Sequence, residues 1–117
     1  MLEHLVELLT PEFDVVALAV DGAGALEAAR RFAPDLAVLD IALPRMSGIA
    51  VAAQLQSAGF KGKVVFVTMY RDREFLQAAL ELGQVGYVAK DRLVMDLVPA
   101  IQAVEAGRSF VSPSFVP

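Results

Sequence analysis

Cysteine is absent from the 117 residues, which excludes a disulfide framework and any thiolate metal or redox site. Tryptophan is missing too, and histidine occurs once, at His4, beside apolar residues on a helix-like stretch where it reads as a surface residue. Basic runs are lacking. Arg30 with Arg31 and Arg71 with Arg73 are isolated and interleaved with acids in a chain of net charge −4. A segment of this kind has no electrostatic footprint for nucleic acid. No apolar run reaches the length of a membrane span. The opening "MLEHLVELLTPEFD" carries acids and has no basic start, so it is not a signal peptide. What remains is a soluble domain expected in the cytoplasm.

Aliphatic residues are plentiful: 56% of the chain is hydrophobic and the mean hydropathy is +0.56, enough to bury a core in the single domain that this length supports. Their spacing alternates between two periods. "LEHLVELL" (2–9) places Leu2, Leu5, Val6 and Leu9 at helical spacing, with Pro11 closing the run. Strand-like stretches follow at 13–20, 36–40, 63–68 and 86–90, and helices at 24–32, 48–59, 73–83 and 97–107. "KVVFVT" (63–68) is continuously apolar between its ends, as a strand buried on both faces should be. Pro99 is tolerable in the first turn of the last helix. Strands alternating with helices imply an α/β fold, a doubly wound parallel sheet covered on both faces. The domain takes in residues 1–117, with 108–117, "RSFVSPSFVP", read as the start of a linker toward an output domain beyond this segment.

In open parallel sheets, ligands collect at the carboxyl ends of the strands. Those ends carry Asp40, Thr68 and Lys90. Taken alone, Asp40 reads equally as a turn-capping carboxylate, Thr68 as a hydroxyl satisfied in its own loop, and Lys90 as a solvated edge lysine. Converging on one edge, the three have a joint chemistry. A carboxylate can attack a phosphoryl donor to give an acyl phosphate, and the new group, bearing roughly −1.5 to −2 of charge, would be met by an ammonium and a hydroxyl. Such a site is a switch rather than an enzyme's turnover site. Met46 and Met69 flank it and read as gap-fillers.

These stretches resemble the receiver domain of bacterial two-component response regulators, a flavodoxin-like fold. "DLAVLDIALPRMSG" is similar to the phosphoacceptor motif, with Asp40 as acceptor and Pro44 and Gly48 shaping the loop. "VVFVTMY" places Thr68 at the switch hydroxyl, and "GYVAKD" places Tyr87 at the switch aromatic and Lys90 at the phosphoryl-contacting lysine. The tail "AIQAVEAGRSFVSPSF" is similar to the end of receivers of the NarL/LuxR-like kind. The resemblance implies phosphorylation of Asp40 by a partner histidine kinase with Mg²⁺, engagement of the phosphoryl group by Thr68 and Lys90, an inward turn of Tyr87, and control of a transcriptional output.

The chain departs from that pattern at its start. Family members begin with a strand ending in two acidic residues that hold the metal, and this sequence opens in what matches the following helix. Glu3, Glu7, Asp14 and Asp21 are not equivalents. The acidic pair is therefore absent, and the expected metal ligands reduce to Asp40 and the backbone carbonyl of Ala42, a poor Mg²⁺ site. The fold is expected to be N-terminally truncated, its first strand missing from the 2-1-3-4-5 order. A second reading follows, a degenerate receiver that pairs with other proteins without being phosphorylated. A flavin- or nucleotide-binding reading fails because "DGAGA" is not a phosphate loop after a strand. An open sheet invites association with a second copy. The sequence thus predicts a homodimer; a monomer persisting at high concentration in light scattering would contradict that.

Overall fold

The computed structural model describes residues 21–42, 46–69 and 73–113. The helix expected at 2–9 and the strand at 13–20 lie outside them, as do Glu3, His4, Glu7, Asp14 and Pro44. Asp21 opens the first described helix, α1 (Gly22–Phe32), by accepting a hydrogen bond of 2.7 Å from the Gly24 N–H. A short carboxylate at this position satisfies one of the amides that a helix start leaves orphaned. Ser47 does the same for α2 (Gly48–Ser57), its hydroxyl accepting from the Ala50 N–H at 3.1 Å.

Four strands form one parallel sheet among the described residues: β1 (Leu36–Asp40), β2 (Lys63–Thr68), β3 (Val85–Ala89) and β4 (Phe110–Val111), side by side in that order. The core lies on both faces of β2. Val65 and Val67 meet Leu97, Ile101 and Val104 of α4 (Leu93–Glu105) on one side. Val64 and Phe66 meet Val51 and Leu55 of α2, with Ala79 of α3 (Arg73–Glu81), on the other. Alternation with period two sends successive valines to opposite helices, so a run with no polar residue between Lys63 and Thr68 fits here and in few other places. Gly86 on β3 lets α4 approach the sheet: a Cβ there would lie 2.9 Å from the Val65 side chain and 3.3 Å from Ala100.

Three sequence expectations are corrected. The last helix begins at Leu93 rather than at residue 97, so Pro99 stands inside it and not in its first turn. Leu93, Leu97, Ala100, Ile101 and Val104 make one buried stripe against the sheet, and burying Leu93 offsets the amide hydrogen bond that Pro99 cannot donate. The third described strand spans Val85–Ala89, and Lys90 falls in a 3₁₀ turn, Lys90–Arg92, immediately after it. Met69 fills no gap, being 74% exposed, whereas Met46 packs against the α2 side of the core. Within the tail at 108–117, Phe110 and Val111 form β4, which pairs in parallel with β3.

A buried polar network holds β4. The Ser112 N–H donates to the Tyr87 carbonyl at 2.9 Å. The Ser112 hydroxyl accepts from the Ala89 N–H at 3.0 Å and donates to Asp96 Oδ2 at 2.8 Å. Arg92 completes the set, its Nε donating to Asp96 Oδ2 at 2.7 Å and its Nη2 to Oδ1 at 3.3 Å. Burial opposes ionisation of Asp96, but the hydrogen bonds from Arg92 and Ser112 and the guanidinium charge outweigh it, holding the carboxyl below its usual value of 3.8. A carboxyl depressed in the folded state adds stability that is complete above its unfolded pKa and is lost as pH falls through the folded one. Asp96→Asn is therefore expected to be less stable than the parent at neutral pH. The gap should narrow as pH falls through 3.8 and below, read from urea midpoints at a series of pH values.

Candidate functional site

The parallel register aligns the carboxyl ends of three neighbouring strands. Asp40 pairs with Val67, and Thr68 with Ala89, so Asp40, Thr68 and the residue after Ala89 emerge at nearly one level. β1 and β3 are not neighbours, and β2 keeps their backbones about 10 Å apart. The long stem of Lys90 bridges that span. Its ammonium donates to Asp40 Oδ2 at 2.6 Å, with the two side chains only 24% and 14% exposed. Oδ1 of Asp40 accepts from the Ala42 N–H at 2.9 Å. The carboxylate is thus oriented by a local backbone donor and neutralised by a distant cation. It is no solitary turn cap, and Lys90 is no solvated edge lysine, since β3 has β2 and β4 on its two sides.

Thr68 is fully buried at the end of β2, the strand between β1 and β3. Tyr87 is fully buried as well, its ring centroid 6.4 Å from that of Phe66 with planes inclined at 59°. Tyr87 and Thr68 occupy alternate positions of adjacent strands on the α2 and α3 side, as their register dictates.

The loop after Asp40 returns to the sheet through Gly48, whose N–H donates to the Ile41 carbonyl at 3.0 Å. A Cβ at Gly48 would fall on the Asp40 carbonyl oxygen and lie 2.9 Å from its carbonyl carbon. Only glycine lets the start of α2 lie against the Asp40 backbone. Of the loop residues expected to matter, Pro44 lies outside the described residues, and Ala42 contributes the N–H just named.

A divalent cation does not fit the described donor set. Mg²⁺ wants about six oxygens in a near-octahedral shell. Here one carboxylate and the Ala42 carbonyl are at hand, and the carboxylate oxygens already hold an ammonium and an amide. Among the described residues no group of three acidic or histidine side chains gathers anywhere. Nor is any described helix long and apolar enough to cross a membrane.

Sequence reasoning missed the Arg92–Asp96–Ser112 network, although Arg92 and Asp96 stand four residues apart on what proves to be a helix start. That spacing was the available signal.

Known proteins share this fold. The chain matches the model of the response regulator receiver domain over residues 1–102. A transcriptional regulator of Pseudomonas aeruginosa is 39% identical over 95 residues, which is 81% of this chain and 46% of that protein. The signal receiver domain of the response regulator NarL from Mycobacterium tuberculosis superposes with a TM-score of 0.83 at 32% identity, over 91% of this chain and 87% of that structure. A LuxR-family two-component response regulator from Aurantimonas gives 0.88 at 32% identity, over 97% and 82%. The chain spans about half the length of the curated relatives it matches.

The close approach at Gly48 sets an expected outcome. Gly48→Ala must push α2 away from β1, costing about 1–3 kcal/mol as overpacking does. A lower midpoint in chemical denaturation checks it.

Proposed function

This chain belongs to the response regulator receiver domain family, in its NarL/LuxR-like branch, and from that premise we propose that Asp40 is its phosphoacceptor. One carboxylate oxygen attacks the phosphorus of a phosphohistidine on a partner kinase. The new O–P bond forms as the P–N bond breaks, and the departing imidazole takes up a proton. The observation that carries this reading is the 2.6 Å contact between Lys90 and Asp40 across the strand that ends in the buried Thr68. In a site so placed, each group has a use at once. Lys90 offsets the approaching negative charge, and the Ala42 N–H fixes the carboxylate's orientation.

After transfer, the acyl phosphate carries roughly two negative charges where the carboxylate carried one. Lys90 leaves the carboxylate for a phosphoryl oxygen, and the Thr68 hydroxyl donates to another. The face formed by α3, β3 and α4 then changes its preference for a second copy or for an output segment, a regulatory rather than catalytic role. The output is transcriptional, in keeping with relatives described as transcriptional regulators.

A second reading has its own observation. The acceptor carboxylate is already paired with Lys90, and the described residues supply no divalent-cation site. A receiver so arranged also serves as a pairing module that never takes up phosphate.

Intact mass before and after treatment with acetyl phosphate and Mg²⁺ separates the two. One added phosphoryl group, absent in Asp40→Asn, is expected. Label elsewhere in that variant would sink the acceptor assignment, and no gain in the parent would favour the pairing module.

A further inference from the structure

Three consecutive residues, Lys90 to Arg92, form a single 3₁₀ turn, and its two ends hold two different ion pairs. Lys90 reaches Asp40 at 2.6 Å, while Arg92 reaches Asp96 at 2.7 Å. Asp96 passes the connection on to Ser112, and Ser112 returns it to the backbone of β3 on either side of Val88, at the Tyr87 carbonyl and the Ala89 N–H. The circuit therefore starts and ends on the strand that carries Tyr87 and delivers Lys90.

The chemistry of Ser112 makes the circuit directional. A hydroxyl has one proton. Because its oxygen accepts from the Ala89 N–H, that proton is committed to Asp96. Asp96 must then stay an acceptor, a carboxylate with Arg92 on both oxygens and the serine on one. Asp96 is 5% exposed and Ser112 not at all. In such surroundings a hydrogen bond lost without replacement is expensive, so the network holds as a whole or rearranges as a whole. Ser109 adds a weaker tie, its hydroxyl accepting from the Val85 N–H at 3.3 Å. Any segment that continues from residue 112 thus leaves from a point fixed to β3.

Resting on the phosphoacceptor reading, we propose that Arg92, Asp96 and Ser112 are positioning residues that couple the partner of Lys90 to the docking of the tail at 109–112. When Lys90 exchanges the Asp40 carboxylate for a phosphoryl oxygen, the short turn carries the displacement to Arg92. Asp96 and Ser112 follow, and the grip on the tail changes. A buried network that merely pinned the tail would need no tie to the turn that bears Lys90.

The test is amide hydrogen exchange on the whole chain, with no phosphoryl donor present. Lys90→Met empties one end of the turn. It is expected to speed exchange of the Ser112 and Ala89 amides at least tenfold while the Phe66 amide in the core is unchanged. Asp40→Asn approaches from the other side of the ion pair and should loosen the same two amides, which keeps the test standing if Lys90→Met folds poorly. Asp96→Asn and Ser112→Ala loosen them in either case and so calibrate the readout. Tail amides that respond to Asp96→Asn but to neither Lys90→Met nor Asp40→Asn would leave a static clasp and overturn the coupling. The experiment does not involve phosphate, so it can fail while Asp40 takes up a phosphoryl group, or succeed when Asp40 takes up none.

Discussion

Everything at the carboxyl edge of this sheet depends on the burial of β2 from both sides. Val65 and Val67 are covered by α4, and Val64 and Phe66 by α2 with α3. A strand enclosed in this way cannot slip by one residue without turning its whole apolar set the wrong way. Register is therefore firm, and register decides that Asp40, Thr68 and the turn after Ala89 end together. The polar site inherits its precision from apolar packing several residues away, which is how charged groups are held when their own interactions would be too weak to place them.

The electrostatics follow from that geometry. A half-buried ion pair between β1 and β3 closes over the end of the intervening strand. Its worth to stability is small or uncertain in sign, because removing two charges from water costs much of what their attraction returns. Its value lies in poise: the cation is held where added anionic charge would appear, on a stem flexible enough to change partners.

How much was legible beforehand varies by element. The bounds 36–40 and 63–68 emerge as read, because an unbroken apolar run ending in a polar residue has few alternatives in an α/β pattern. Asp40, Thr68 and Lys90 could be grouped for the same reason, as polar residues at strand ends. The beginning of α4 was hidden because Pro99 argues locally for a helix start, and only the stripe from Leu93 to Val104, seen packed on the sheet, overrules it. The Asp96 and Ser112 pair was harder still. Asp96 falls just before the helix expected at 97–107, and Ser112 sits in a tail whose serines and prolines read as linker. Burial of both depends on a two-residue strand too short to carry any periodic signal.

The inward setting of Tyr87 bears on populations. Its ring is wholly enclosed beside Phe66, and exposing an aromatic of that size costs on the order of a few kcal/mol. An outward arrangement of the ring would carry that cost. A partner that selects the inward form meets nearly every molecule in a competent state, and its apparent affinity is scarcely reduced by the wait for the ring to move. A partner that needs the ring outside binds against the full cost of bringing it out.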